Sequence, residues 1–315
     1  MSITKGWGVQ DYGAVEDLAL IDYPVADPGP GEIVIDVEAM ALNPLDLKII
    51  SGAMREMMPA PMPFVPGSDV VGTVVAVGDG VGDLAPGQRV VASTWNGALA
   101  KRALLPASAH VVAAPSWADA TELAALPMAG LTALHILRQL GDVSGKRLAI
   151  LGATGGVGLA LIQLASAAGA RVIASARGSD AAVVTLNGAA EAIDYSSEPF
   201  AVTVARLHPD GVEILVDLVS MFDALLASAA IVAEGGVLLS TLFGPDPARF
   251  GDRIKVIFSR LKAEPGDLYR VVEAYLAGTL RANVGARFGF DQGRDACLAL
   301  RDGHVVGKIV VTNKG

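Results

Sequence analysis

From residue 1 to about 115, apolar positions alternate with polar ones in short runs bounded by glycine and proline. That is the period of half-buried β-strands. Gly31-Glu-Ile-Val-Ile-Asp-Val-Glu-Ala alternates, and Asp69-Val-Val-Gly-Thr-Val-Val-Ala-Val-Gly and Gln88-Arg-Val-Val-Ala-Ser are rich in β-branched residues. Proline and glycine clusters at 27–31, 59–63 and 85–88 read as turns or loops, and one helix is expected near 44–51. Near residue 117 the period changes. Trp117–Leu140 reads as helical, with Pro127 opening a new helix. Beyond it strands and helices alternate: strands at 147–151, 170–176, 191–194, 213–218 and 235–241, helices at 156–168, 179–187 and 221–233. Such alternation predicts a parallel sheet covered by helices on both faces. From about 264 come a helix at 267–278, the segment Val284–Phe290, a helix near 291–302 and a last strand, Gly307–Thr312.

These periods predict an α/β protein of two domains. A β-rich domain is expected over 1–118 and 264–315, rejoined by the returning strand. A doubly wound parallel-sheet domain is expected over 119–263. The chain has 315 residues, 52% hydrophobic and 18% charged, enough for two cores and too apolar for disorder. A net charge of −9, without a basic stripe, argues against a nucleic-acid partner. The single cysteine, Cys297, cannot form an internal disulfide. No basic segment followed by an apolar one opens the chain, so a reducing, cytoplasmic setting is expected. Leu148–Ala170 carries no charge over 23 residues, long enough to span a bilayer. Its early glycines and its Gln163 and Ser166 fit a buried strand, turn and helix better, and no membrane role is expected.

That uncharged run holds the chemistry. Leu148–Leu151 is a strand, Ala153-Thr154-Gly155-Gly156-Val157-Gly158 a tight turn, and the rest a helix. The order leaves backbone N–H groups and the positive end of a helix dipole facing one point, where a dinucleotide pyrophosphate can sit. Against G-x-G-x-x-G, Ala153 replaces the first glycine. Gly155 would let the pyrophosphate approach, and Gly158 would let the helix pack on the sheet. The next strand ends Val172-Ile-Ala-Ser175-Ala-Arg177, with no acid before Asp180 to hold a ribose 2′-hydroxyl. Arg177 can pair with a 2′-phosphate and Ser175 can hydrogen-bond to it, so NADPH is expected as the cofactor.

On these residues and several ordered motifs the chain resembles the zinc-free quinone oxidoreductase and alkenal/enone reductase branch of the medium-chain dehydrogenase/reductases. The motifs are Asn43-Pro-Leu-Asp46-Leu-Lys48, Pro66-Gly-Ser68-Asp69-Val-Val-Gly72, Pro86-Gly-Gln-Arg-Val90, Leu126-Pro-Met-Ala-Gly-Leu-Thr132, Ala153–Gly158, Gly188-Ala with Asp194-Tyr195, and Gly303-His-Val-Val-Gly-Lys308. The resemblance covers essentially the whole length. It implies a GroES-like β-rich domain with an inserted Rossmann domain, hydride transfer in a cleft between them, and a homodimer. It also implies that Tyr195 contacts the adenosine phosphate and that Thr132 and Lys308 contact the cofactor; Phe243 reads equally as a nicotinamide-side contact or as core packing.

Alcohol dehydrogenases of that superfamily hold zinc where this chain carries Asn43 and Ser68, neither a good zinc ligand. His110, His135, His208 and His304 show no ligand spacing. Metal is therefore not expected. Without a Lewis acid, an activated acceptor such as a quinone or enone is easier to reduce than a simple ketone. Hydride then attacks a conjugated carbon and charge moves to oxygen, where donors must wait. Asn43, Asp46 and Lys48 are the candidate catalytic residues: an amide donor, an orienting carboxylate and an ammonium. For Asn43 a plain helix cap is the alternative, and for Lys48 a solvated helix position. Cys297 reads as inert core. A 2-enoyl thioester reductase and a non-catalytic NADPH-binding protein remain alternatives. A short-chain dehydrogenase lacks its Tyr-x-x-x-Lys here, a serine hydrolase its G-x-S-x-G and a P-loop its spacing.

Overall fold

The glycine-bounded β-branched runs build a sheet in the computed structural model, which describes residues 1–95, 97–107, 110–303 and 305–313. His304 lies outside the described residues. In chain order the elements are β1 Ser2–Gly8, β2 Ala19–Val25, β3 Glu32–Ala41, α1 Pro44–Ile50, β4 Asp69–Val77, β5 Arg89–Ser93, β6 Arg102–Pro106 and β7 Val111–Ala113. There follow α2 Ala120–Ala124, α3 Pro127–Leu140, β8 Arg147–Leu151, α4 Gly156–Ala167, β9 Arg171–Ala176, α5 Ala181–Leu186, β10 Glu191–Asp194 and α6 Phe200–Leu207. The last are β11 Val212–Asp217, α7 Phe222–Ser228, β12 Val232–Ser240, β13 Lys255–Phe258, α8 Asp267–Leu276, β14 Val284–Gly289, α9 Gly293–Asp302 and β15 Lys308–Thr312.

Two units result, Met1–Met128 with the chain from Glu264 onward, and Ala129–Ala263. Helix α2 contacts β3, β4 and β15. It therefore joins the β-rich unit, and the first boundary falls at 128/129 where the change of period suggested 118/119. In the β-rich unit a seven-stranded sheet runs β14-β15-β3-β4-β5-β7, with β6 also on β3. Every pairing is antiparallel except β14 with β15. The core beneath is apolar, including Ile33, Ile35, Met40, Ile50 and Phe64. The returning strand has a register consequence. Val310 pairs with Ala41 and Thr312 with Ala39. Continued in register, Lys308 falls opposite Asn43, and on the other side of β3 Ala41 pairs with Asp69.

The second unit is an all-parallel six-stranded sheet in the order β10-β9-β8-β11-β12-β13. This is the doubly wound dinucleotide-binding order, with its switch point between β8 and β11. Ala149, Ile173, Leu215 and Leu238 from four strands pack in one core with Phe200, Val204 and Leu225 from α6 and α7. Two details depart from the periodicity. The helix expected to reach 233 stops at Ser228, because β-branched Val232 is drawn into the sheet against Val212. Helix α6 and the short edge strand β13 were not foreseen, being only eight and four residues long. Among the described residues, no helix is long and apolar enough to cross a membrane.

Candidate functional site

Strand β8 ends on Gly152 at φ +79°, where a Cβ would stand 2.7 Å from the Val219 side chain that follows β11. Gly152 thus makes the sharp exit that the fingerprint assigns to its first glycine, and Ala153 is buried behind it. Gly155 caps α4, and Gly156, Val157 and Gly158 form its first turn, whose N–H groups have no partner inside the helix. Thr154 lies in the same turn. A Cβ on Gly158 would fall 2.4 Å from Gly152 O and 2.6 Å from Ala153 Cα, so only glycine fits. The cradle therefore offers what a pyrophosphate needs: close backbone, donors and a dipole end.

The residues expected on the adenosine side stand at the ends of β9 and β10, where Tyr195 N donates to Ala176 O at 3.1 Å. Arg177 is half-buried and hydrogen-bonded to the Tyr195 side chain, which holds its pKa above the ordinary arginine value. Asp194 is held below the usual carboxylate range, chiefly by the Ser196 hydroxyl and then by the Ser196 amide. The Gly178 N–H adds to this, so the carboxylate lies beside the residue that follows Arg177. Ser175 differs from expectation. It is 2% exposed, and its Oγ accepts the Gly152 N–H at 3.1 Å, bracing the cradle from the neighbouring strand. Ser175 is thus enclosed between strands, while Arg177 and Tyr195 stand at the strand ends.

The second constellation lies in the β-rich unit. Asn43 occupies the N-cap position of α1, yet its side chain does not cap the helix. Its Oδ1 accepts from Lys308 Nζ at 2.5 Å, and its Nδ2 donates to Asp69 Oδ2 at 3.0 Å. Lys308 Nζ also donates to Leu42 O at 2.8 Å and to Asp69 Oδ2 at 3.1 Å. Asp69 Oδ1 accepts the Met128 N–H at 2.9 Å. Capping of α1 falls to Asp46, which accepts from Asn43 N at 2.7 Å and Gly67 N at 2.9 Å, with Ser68 Oγ at 3.4 Å. Asn43, Asp46, Ser68, Asp69 and Lys308 are all buried.

Burial pushes the Asp46 carboxyl from its ordinary 3.8 up to about 6, against the pull of the Asn43 and Gly67 N–H groups. Its folded pKa exceeds its unfolded one, so folding takes up a proton between those values. Its contribution to stability therefore grows as pH falls from about 6 toward 3.8. Burial likewise raises the pKa of the Cys297 thiol, which keeps this cysteine unreactive.

The structure thus brings Asn43 and Asp46 together and adds Lys308, which the resemblance had set among cofactor contacts. Lys48 stands apart on α1, half-buried, and its ammonium makes no hydrogen bond or ion pair among the described residues. Thr132 is half-buried in α3. Phe243 is 44% exposed, with the Arg260 guanidinium 5.8 Å from its ring centre. Asp69 was missed. An acid heading a β-branched strand reads as an ordinary strand start, and only its complete burial betrays it. Among the described residues, no group of three or more His, Cys, Asp or Glu side chains could hold a metal ion.

Residues 29–116 match the alcohol dehydrogenase GroES-like domain, and residues 187–311 match the zinc-binding dehydrogenase domain. The quinone-oxidoreductase QR1 of Triphysaria versicolor, a chloroplastic protein, is 31% identical over 95% of this chain and 95% of its own length. The chloroplastic NADPH-dependent alkenal/one oxidoreductase of Arabidopsis thaliana is 32% identical over 98% of this chain and 79% of its own. The structure of mycobacterial Rv1454c complexed with NADPH superposes with a TM-score of 0.85, at 28% identity, over 98% of this chain and 99% of that one.

Proposed function

The chain belongs to the medium-chain dehydrogenase/reductase superfamily, in its quinone and alkenal/one oxidoreductase branch, and from that premise we propose that it is an NADPH-dependent reductase of quinones or α,β-unsaturated carbonyls. The observation that carries the reading is a glycine-built dinucleotide cradle after β8, with Arg177 bonded to Tyr195 beyond the end of β9 and no acid in the chain between β9 and Arg177. A relative with NADPH in its name and a similar structure with NADPH bound support the same cofactor.

NADPH, when bound, supplies the hydride and leaves as NADP⁺. On an enone, hydride forms the new C–H bond at the β-carbon, the C=C electron pair moves toward the carbonyl oxygen, and a proton from solvent completes the saturated product at the α-carbon. On a quinone, one hydride and one proton give the hydroquinone. This chain's own residues hold the cofactor through the first-turn N–H groups of α4 and through Arg177. They meet the developing oxyanion with a hydrogen-bond donor in place of a metal, the role we assign to Asn43. Thr132, Phe243 and Lys48 are proposed as neighbours of the reacting groups, on the resemblance. Its lone, buried Cys297 suits a reducing compartment, and we propose the cytoplasm, with a homodimer as the assembly.

Two measurements test this. NADPH consumption is expected with an ortho-naphthoquinone and with an alkenal, and little with crotonyl-CoA. NADPH binding without turnover of any acceptor would overturn the reductase reading. Arg177→Ala is expected to raise the NADPH Kd about ten- to a hundredfold, the worth of a charge-assisted phosphate contact, and to leave NADH nearly unchanged. Equal losses for both cofactors would remove Arg177 from the 2′-phosphate.

A further inference from the structure

We infer that Lys308 is a positioning residue for the Asn43 amide, and that together they present one pre-oriented N–H donor to the acceptor oxygen. The inference rests on the proposed reduction. An amide can be flipped, and the two orientations exchange a donor for an acceptor. Here both neighbours force one choice. An ammonium only donates, so Lys308 Nζ at 2.5 Å demands the Asn43 oxygen. A carboxylate only accepts, so Asp69 Oδ2 at 3.0 Å demands the Asn43 nitrogen.

The donor count then singles out one hydrogen. Lys308 has three, which go to Leu42 O, Asn43 Oδ1 and Asp69 Oδ2. Asn43 Nδ2 has two, of which one goes to Asp69, while the other has no partner among the described residues. Buried polar groups are nearly always hydrogen-bonded, so an uncommitted hydrogen in this cluster needs an explanation, and a ligand acceptor supplies one. Asn43 is 5% exposed, and its backbone is clamped by Asp46. The donor is therefore fixed before any acceptor arrives, which is the condition for stabilising charge that develops on oxygen. The register of β15 against β3 builds this arrangement, since it sets residue 308 opposite residue 43.

This assignment differs from direct cofactor contact by Lys308, and kinetics separate the two. Lys308→Met should lower kcat on an alkenal by at least about tenfold, the cost of losing one oriented donor, with the NADPH Kd within about twofold of the parent. The loss on an ortho-quinone should be smaller, because aromatisation already stabilises its product oxyanion. A general loosening of the fold would lower both rates alike. Asn43→Ala/Lys308→Met should be no slower than Asn43→Ala alone, because Lys308 acts through Asn43. Lys308→Gln, which keeps a donor toward Asn43 Oδ1, should fall between parent and methionine variant, and it decides the question if the methionine variant does not fold. Additive losses, equal losses on both acceptors, or a raised NADPH Kd would overturn the inference. If the parent reduces neither acceptor, the reductase reading fails first, and this role with it.

Discussion

Gly158→Ala is expected to abolish useful NADPH binding, raising the Kd by about a hundredfold or more, and to lower stability by roughly 1–3 kcal/mol. The three nearest atoms its Cβ would meet are all backbone: Gly152 O, Ala153 Cα and Ala153 O. No side chain can swing aside, so the strand–turn–helix unit must open, and the cradle N–H groups move with it. Gly155→Ala is the matching control. There a Cβ meets only Gly152 O, at 3.5 Å, an ordinary contact, and φ is −76°. Its melting temperature should stay near the parent's while NADPH affinity falls through crowding of the ligand alone. A Gly158→Ala variant that binds NADPH normally would show that the turn is not the pyrophosphate site.

Asp69→Leu is expected to be the most destabilising change in the β-rich unit, by about 3–5 kcal/mol in urea unfolding. Asp69 is fully buried, and Lys308 is 6% exposed. Removing the carboxylate leaves a buried ammonium with neutral acceptors only, and strands the Met128 N–H and one Asn43 N–H. Asp69→Asn should cost less, because it keeps an acceptor oxygen, but it no longer offsets the charge. As a contrast, the partly exposed Arg147–Glu213 pair is worth roughly 0–1 kcal/mol, and Glu213→Gln should fall within that range. If Asp69→Leu costs no more than Glu213→Gln, the buried cluster is not the electrostatic unit described here.

The two layers of the protein were legible to different depths. The change from period two to alternating strands and helices marks both units, because local periodicity reports which face of an element is buried. Edge strand β13 and helix α6 escaped, since four and eight residues hold too few turns of a pattern. The cradle was readable because it is local: Gly152 to Gly158 are contiguous. Even there the part played by Gly152 is not readable in the sequence, as φ +79° is a property of the folded turn. The place of Ser175 at a strand end is local information, whereas its bond to Gly152 N crosses between strands. The buried cluster was half legible. Asn43 and Asp46 stand three residues apart on one helix start. Asp69 and Lys308 join them only through the pairing of β3 with β4 and β15, up to 265 positions along the chain. No local pattern reports a register between strands so distant.

The most direct test of the central claim follows the hydride itself. NADPH carrying deuterium at both nicotinamide C4 positions is incubated with an alkenal, and the saturated product is examined by NMR. The account predicts one deuterium at the β-carbon, a solvent-derived hydrogen at the α-carbon, and one NADP⁺ formed per product. Product that carries no label, or label-free oxidation of NADPH without reduction of the double bond, would contradict it.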